Sequence, residues 1–138
     1  VIINITAVHK HLWTTNSTWP INETYSKYIT PMKPFIDRCK ENFYVYTAYT
    51  KGYEPNGVKV IHQDGKAMWF TRSDIGYGDR HLGIYMYRPY ALHCYDLLTD
   101  GYPQENLEQN RYLGLYEIKV CEVSYDGREI NTIEDVNG

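Results

Sequence analysis

Residues 78–94 run Gly-Asp-Arg-His-Leu-Gly-Ile-Tyr-Met-Tyr-Arg-Pro-Tyr-Ala-Leu-His-Cys, and the prediction of the fold starts from them. Side chains alternate between two faces over residues 81–87, as they do in a β-strand. Leu82, Ile84 and Met86 point one way. The opposite face carries His81, Gly83, Tyr85 and Tyr87. The stretch therefore predicts a strand that presents His81 on its more polar face.

Two continuations fit the residues that follow this strand. In the first, the chain returns as a hairpin centred on Tyr87, which sets His93 opposite His81 on one face of the sheet. Two facing imidazoles would make an acid–base or metal-binding pair. In the second, Pro89 begins a helix over residues 89–99, and His93 points away from His81. Both continuations stay open at the level of sequence.

The rest of the chain predicts one α+β domain over residues 1–138, with an antiparallel β-sheet and a few short helices. β-branched or aromatic residues between turn signals predict strands at residues 1–8, 43–50, 58–62, 67–71 and 115–125. Asn56-Gly57 is the strongest hairpin signal, and a second turn is predicted at Asp64-Gly65. Short helices are predicted at residues 34–42 and 104–113.

Composition is that of an ordinary globular protein. Of 138 residues, 43% are hydrophobic and 22% charged, and the net charge of −3 gives no basic excess that would indicate nucleic-acid binding. No stretch is long and apolar enough to predict a membrane span, and the first residues do not resemble a signal peptide. Because the chain begins with Val1 rather than Met, we expect a processed or excised segment.

Cysteines and glycosylation motifs point to different compartments. Cys39, Cys94 and Cys121 are an odd number, which favours free thiols in a reducing compartment. Three Asn-x-Ser/Thr motifs keep an extracellular location open. They begin at Asn4, Asn16 and Asn22.

The run His-x-Gly-Ile-Tyr from His81 to Tyr85, followed by His93, resembles the H-box of the LRAT/PLAAT-like thiol acyltransferases and the related picornavirus 2A proteins. The resemblance covers the stretch from Gly65 to His93 of the 138 residues. It implies an H-box fold (permuted NlpC-like). It also implies that His81 is the base for a nucleophilic cysteine and that His93 assists it.

The chain departs from that family at the nucleophile. The family's Asn-Cys dipeptide is absent, and Cys121-Glu122 is its nearest counterpart, so Cys121 is the candidate nucleophile. Asp79 or Asp74 is a candidate for the group that orients an imidazole. His62 is assigned to a turn or cap. No Gly-rich phosphate loop or Cys-x-x-Cys motif occurs, so we predict no cofactor and no metal.

These observations lead to a functional prediction with open alternatives. The first is a viral 2A-like protein without catalysis, which binds host or viral proteins or RNA in the cytoplasm of the host cell. The second is an active Cys-His acyltransferase or lipid hydrolase that uses His81, His93 and Cys121. The third is a secreted or virion-surface glycoprotein. A fourth, an ADP-ribosyltransferase-like β-fold, is suggested by Trp69-Phe70-Thr71 ahead of Ile84-Tyr85.

Overall fold

The structure is a computed structural model that describes residues 1–5, 31–93, 109–125, 127 and 133–134. The strands are β1 (Ile2–Ile5), β2 (Val45–Thr50), β3 (Lys59–Gln63), β4 (Lys66–Thr71), β5 (Asp79–Tyr87) and β6 (Ile118–Glu122). The helices are α1 (Lys33–Ile36), α2 (Pro89–His93) and α3 (Gln109–Tyr112), and a 3-10 turn follows α1 at Asp37–Lys40. The prediction of an α+β fold with a sheet and short helices is confirmed. That residues 1–138 form a single domain stays a prediction.

The six strands form one mixed sheet in the order β1-β5-β2-β6-β4-β3, and β5 also pairs with β3. The pairings of β5, β2, β6, β4 and β3 therefore close into a circuit, while β1 pairs with β5. β2 and β6 run parallel. The prediction of an antiparallel sheet is wrong for this pair, because β6 arrives after a long connection rather than a hairpin.

Both faces of β5 are buried, and the predicted alternation of its side chains is confirmed. Leu82, Ile84 and Met86 belong to one hydrophobic cluster, which also contains Phe35 and Cys121. We call this the second core cluster. The first core cluster lies on the opposite face and includes Val45, Tyr49, Val60, Phe70, Tyr85, Tyr87, Tyr112 and Ile118.

The turn between β3 and β4 is the one that the sequence predicts. Asp64 and Gly65 both have positive φ, 55° and 76°, as the two central residues of a type I′ hairpin turn require. Asn56-Gly57 also lies in a turn, in which Gly57 donates its backbone N–H to the Glu54 carbonyl. The hairpin predicted there is wrong, because β2 and β3 each pair with β5 and not with each other.

The hairpin around Tyr87 is also wrong. Pro89 begins helix α2, which runs to His93, and its first turn includes a bond from Ala91 N–H to the Arg88 carbonyl. Proline has no N–H for a sheet and a φ that suits the first turn of a helix. The helical alternative is therefore confirmed over residues 89–93, and residues 94–99 lie outside the described part of the chain.

Other boundaries differ from the prediction by several residues. β1 is exposed along its length rather than buried, and residues 6–8 lie outside the described residues. Asn16 and Asn22, two of the three glycosylation motifs, also lie outside them. The helix predicted at 34–42 is split into α1 and the 3-10 turn. Of the helix predicted at 104–113, the described residues contain α3, and residues 104–108 lie outside the described part of the chain. Within the described ranges, no helix has the length and apolarity to cross a membrane.

Candidate functional site

A bulge in β5 lies at the centre of the sheet face that the first core cluster covers, which we call the first-cluster face. Thr47 pairs with Tyr85 and Tyr49 pairs with His81, so one residue of β2 faces three residues of β5. Gly83 is the middle one of these three and has a φ of 69°, a conformation that favours glycine. Bulges re-aim side chains and are frequent beside functional sites. Here the bulge turns His81 towards Thr47.

The contact between Thr47 and His81 fixes how the imidazole is protonated. The Thr47 hydroxyl oxygen lies 2.7 Å from His81 Nε2 and 2.7 Å from the carbonyl oxygen of Ile84. A carbonyl oxygen only accepts, so the single hydroxyl proton is donated to Ile84. Nε2 of His81 must then carry a proton and donate it to Thr47. The buried imidazole is held in one tautomer as a result.

Aromatic rings surround the His81 imidazole, which is 7% exposed. Its ring centre lies 4.9 Å from that of Phe70 and 5.3 Å from that of Tyr85, both edge-to-face. Phe70 is itself held by Asn110, whose side-chain oxygen accepts from Phe70 N–H at 2.9 Å and whose amide donates to the Phe70 carbonyl at 2.8 Å. The Asn110 side chain thus makes the two backbone hydrogen bonds that a neighbouring strand would make to Phe70, and it connects α3 to β4.

A second imidazole lies on the same side of the sheet. His62 Nε2 is 2.6 Å from Asp79 Oδ2, and Asp79 Oδ1 accepts the backbone N–H of Gly52 at 2.9 Å. The Tyr49 ring lies against His62, with ring centres 4.3 Å apart. Because Tyr49 also pairs with His81 across β2 and β5, it links the two imidazoles.

Tyr49 stays neutral over the whole physiological range. Burial, followed by the charges of Glu122 and Asp79, raises the pKa of Tyr49 above its ordinary value. The desolvated ring and the nearby carboxylates both oppose a phenolate. Its hydroxyl is therefore a neutral donor and acceptor at neutral pH.

Lys59, at the start of β3, carries a buried ammonium group. The side chain is 0% exposed, and Nζ donates to the carbonyl oxygens of Pro55 at 2.6 Å and Arg72 at 3.0 Å. A buried charge needs such partners to offset its desolvation. Lys59 fastens the segment after β2 to the segment after β4.

The residues predicted to form a catalytic set lie apart. His81 packs among the rings of the first core cluster, whereas Cys121 belongs to the second core cluster on the other face. His93 is exposed at the end of α2. Burial raises the pKa of the Cys121 thiol, and the Arg38 guanidinium offsets part of that shift. Among the described residues, no three His, Cys, Asp or Glu side chains are grouped to hold a metal ion.

The two aspartates proposed to orient an imidazole have different partners, and the orienting role itself stays a prediction. The carboxylate of Asp79 contacts His62, which lies in strand β3 rather than in the predicted turn or cap. Asp74 accepts a hydrogen bond from the Tyr53 hydroxyl. Nothing in the local sequence indicates the pair of His62 and Asp79, because strand pairing joins residues 17 positions apart.

Comparison with known proteins finds bacterial sugar cytidylyltransferases. The chain is 40% identical over 94 residues to the 3-deoxy-manno-octulosonate cytidylyltransferase of Acaryochloris marina, which covers 59% of this chain and 38% of the relative. It is 34% identical over 94 residues to the enzyme of the same name from Chlorobium phaeobacteroides, with the same coverage. The 8-amino-3,8-dideoxy-manno-octulosonate cytidylyltransferase of Shewanella amazonensis is 33% identical over 95 residues, covering 60% of this chain and 39% of the relative.

A solved structure agrees with these relatives. The structure of CMP:2-keto-3-deoxy-manno-octonic acid synthetase complexed with CTP matches with a TM-score of 0.67 and 26% identity, over 79% of this chain and 54% of that one. No family model matches. The chain spans less than two-fifths of the length of the three relatives named above.

These similarities overturn the predicted kinship and function. The resemblance to the H-box acyltransferases and 2A proteins is wrong, since the relatives and the matching structure are cytidylyltransferases. The viral non-enzymatic protein, the Cys-His acyltransferase or hydrolase, the surface glycoprotein and the ADP-ribosyltransferase-like fold are all wrong with it. The predicted locations in a host cell or on a virion fail because the relatives are bacterial. The prediction that the chain binds host or viral proteins or RNA is supported neither by the structure nor by these relatives.

The error arose from a short motif on a strand. His81, Gly83, Ile84 and Tyr85 match the H-box pattern, but they form a bulged strand whose histidine packs inward. The catalytic roles predicted for His81, His93 and Cys121 belonged to the acyltransferase. No observation tests these residues one by one, so their assignment stays a prediction.

Proposed function

We propose that this chain forms part of a cytidylyltransferase that joins a cytidylyl group to an octulosonate sugar. The observation that carries the proposal is the similarity, at a TM-score of 0.67 over 79% of the chain, to a synthetase solved in complex with CTP. The names of the relatives agree, because they specify 3-deoxy-manno-octulosonate or its 8-amino-3,8-dideoxy counterpart.

The acceptor sugar is the ligand that we assign to the first-cluster face. The sequence contains no Gly-rich phosphate loop of the kind that cradles a nucleoside triphosphate. His62, His81, Thr47, Tyr49 and Asp79 contribute imidazole, hydroxyl and carboxylate groups to this face, which match the donors and acceptors of sugar hydroxyl groups. Aromatic walls with a few placed polar groups are typical of small-molecule sites.

Three side chains define the proposed sugar site. His81 is 7% exposed and forms its floor, with its tautomer fixed by Thr47. The side chain of His62 is 23% exposed and forms its rim. Tyr49 lies between them, in contact with the His62 ring and paired with His81. The arrangement supports a ligand that enters from the edge where His62 and Asp79 meet solvent.

The test is a direct assay of the full chain. Protein is incubated with CTP as its Mg²⁺ complex and with either 3-deoxy-manno-octulosonate or 8-amino-3,8-dideoxy-manno-octulosonate. We expect a CMP-sugar and pyrophosphate in equal amounts, detected by phosphorus NMR, and no product with the acceptor left out. Failure to form a CMP-sugar from both acceptors would overturn the proposal.

A further inference from the structure

His62 and Asp79 form a carboxylate–imidazole pair with the geometry of a proton-transfer site. The Asp79 carboxylate only accepts, so the 2.6 Å contact is donated by Nε2–H of His62. Asp79 cannot turn away, because its other oxygen is held by the Gly52 N–H at 2.9 Å. The neutral imidazole therefore presents the lone pair of Nδ1. In the described part of the chain, His62 makes no hydrogen bond through Nδ1.

The pair is built into the sheet yet reaches solvent. Asp79 is on β5 and pairs through its backbone with Val60, two residues before His62 on β3. The Tyr49 ring fixes the plane of the imidazole from β2. The side chains of His62 and Asp79 are 23% and 24% exposed. A ligand on the first-cluster face can therefore approach Nδ1, while the opposite edge of the ring is anchored.

We propose that His62 is the general base of cytidylyl transfer and that Asp79 is its positioning residue. This inference rests on the proposed function. The sugar hydroxyl that becomes bonded to phosphorus gives its proton to Nδ1 of His62. The hydroxyl oxygen forms a bond to the α-phosphorus of CTP, and the bond from that phosphorus to the bridging oxygen breaks with its electron pair. Pyrophosphate leaves, and the imidazolium is stabilised by the Asp79 carboxylate.

Two side chains from neighbouring strands contact the His62 ring, Asp79 from β5 and Tyr49 from β2. Asp79 is in direct contact with His62, and Glu122 on β6 pairs through the backbone with Tyr49. Tyr49, which faces His62 from β2, is neutral. The Asp79 carboxylate, in contact with Nε2, would stabilise the positive imidazolium that proton transfer creates.

The first variant is His62→Gln. A glutamine amide nitrogen reaches the position of Nε2 and keeps the bond to Asp79, but the side chain accepts no proton. We expect kcat to fall about 100-fold or more, as general-base removal does. The rise of kcat with pH should disappear, while KM for the sugar changes by less than about threefold.

The second variant is Asp79→Asn. The Gly52 N–H requires an oxygen at one position, so the amide NH₂ must face His62 Nε2. Nε2 then has to accept, and the proton moves to Nδ1, where it blocks the base. We expect kcat to fall at least about tenfold. Nitrogen-15 NMR of the His62 ring should show the change from the Nε2–H to the Nδ1–H tautomer without reference to activity.

Glu117→Gln is the matched control, because it removes one carboxylate charge from an exposed pair with Lys66. It should keep the wild-type rate, pH profile and His62 tautomer. If the wild-type chain makes no CMP-sugar, the proposed function fails. If the wild type is active but His62→Gln keeps its rate and pH dependence, the inference about His62 is overturned and the proposed function stands. An unchanged tautomer in Asp79→Asn would equally overturn the role of Asp79.

Discussion

His81 and Cys121 project from opposite faces of the same sheet. The imidazole of His81 packs against Phe70 and Tyr85 of the first core cluster, and the thiol of Cys121 lies in the second core cluster. They also belong to strands that are not neighbours, since β2 lies between β5 and β6. A Cys-His pair needs its base and nucleophile within hydrogen-bond reach, whereas this sheet directs the two side chains to opposite faces.

We therefore expect the Cys121 thiol to react slowly with alkylating reagents. Burial raises its pKa, so little thiolate is present near neutral pH. Iodoacetamide at pH 8 should modify Cys39, which is only partly buried, well before Cys121, as followed by peptide mass spectrometry. In urea the two rates should converge. Rapid labelling of Cys121 in the folded protein would contradict the structure.

Replacing Thr47 by valine should destabilise the protein. It should also allow the His81 imidazole to carry its proton on either ring nitrogen. The substitution preserves shape but leaves His81 Nε2–H without its acceptor in a buried site. We expect a loss of about 1–3 kcal/mol in the free energy of unfolding, measured in urea. Thr47→Ser keeps the hydroxyl and should keep the tautomer seen by nitrogen-15 NMR. Identical His81 ring spectra in Thr47→Val and wild type would argue against the assignment.

Gly83→Ala should strain the bulge of β5. At a φ of 69°, a Cβ costs about 1–2 kcal/mol. Gly57→Ala is the control, because its φ is not positive and an added Cβ would meet mainly the movable Glu54 side chain, at 3.3 Å. Urea unfolding should show a clear loss for Gly83→Ala and a change within about 0.5 kcal/mol for Gly57→Ala. Equal stabilities would mean that Gly83 is not required for the bulge.

Asn110→Leu should detach α3 from β4. The change removes both hydrogen bonds to the Phe70 backbone in a site that is 1% exposed. Two unsatisfied buried groups predict a loss of about 3 kcal/mol in the free energy of unfolding. The rate of hydrogen exchange at the Phe70 amide should also increase, and by more than the loss of global stability alone predicts, because the bond that protects this amide is removed. Asn56→Ala, at an exposed amide, should leave both measurements near wild type.

Local signals in the sequence located most of the described strands. Alternation over residues 81–87 matches β5, and Asp64-Gly65 forms the predicted turn, since both depend on neighbouring residues only. The same local rules left residues 89–99 open between strand and helix. Pro89 began a helix, because proline cannot donate to a strand ladder and fits the first turn of a helix.

The candidate site was harder to predict, because each of its contacts joins distant segments. Thr47 and His81 are 34 positions apart, His62 and Asp79 are 17, and Phe70 and Asn110 are 40. His62 carried no signal of its own, because its partner Asp79 lies on another strand. The His81–Tyr85 motif matched a known family pattern, but the family that it indicated, the H-box acyltransferases, was wrong.

The sequence by itself determined which segments are extended, where β3 turns into β4, and that β5 has two distinct faces. These properties follow from the residue-by-residue preferences of a pleated chain. Only the tertiary structure decided that β6 joins β2 in parallel, that the bulge at Gly83 turns His81 onto Thr47, and that Asp79 orients His62. Strand register brings these groups together, and register depends on the packing of both faces of the whole sheet rather than on any single stretch.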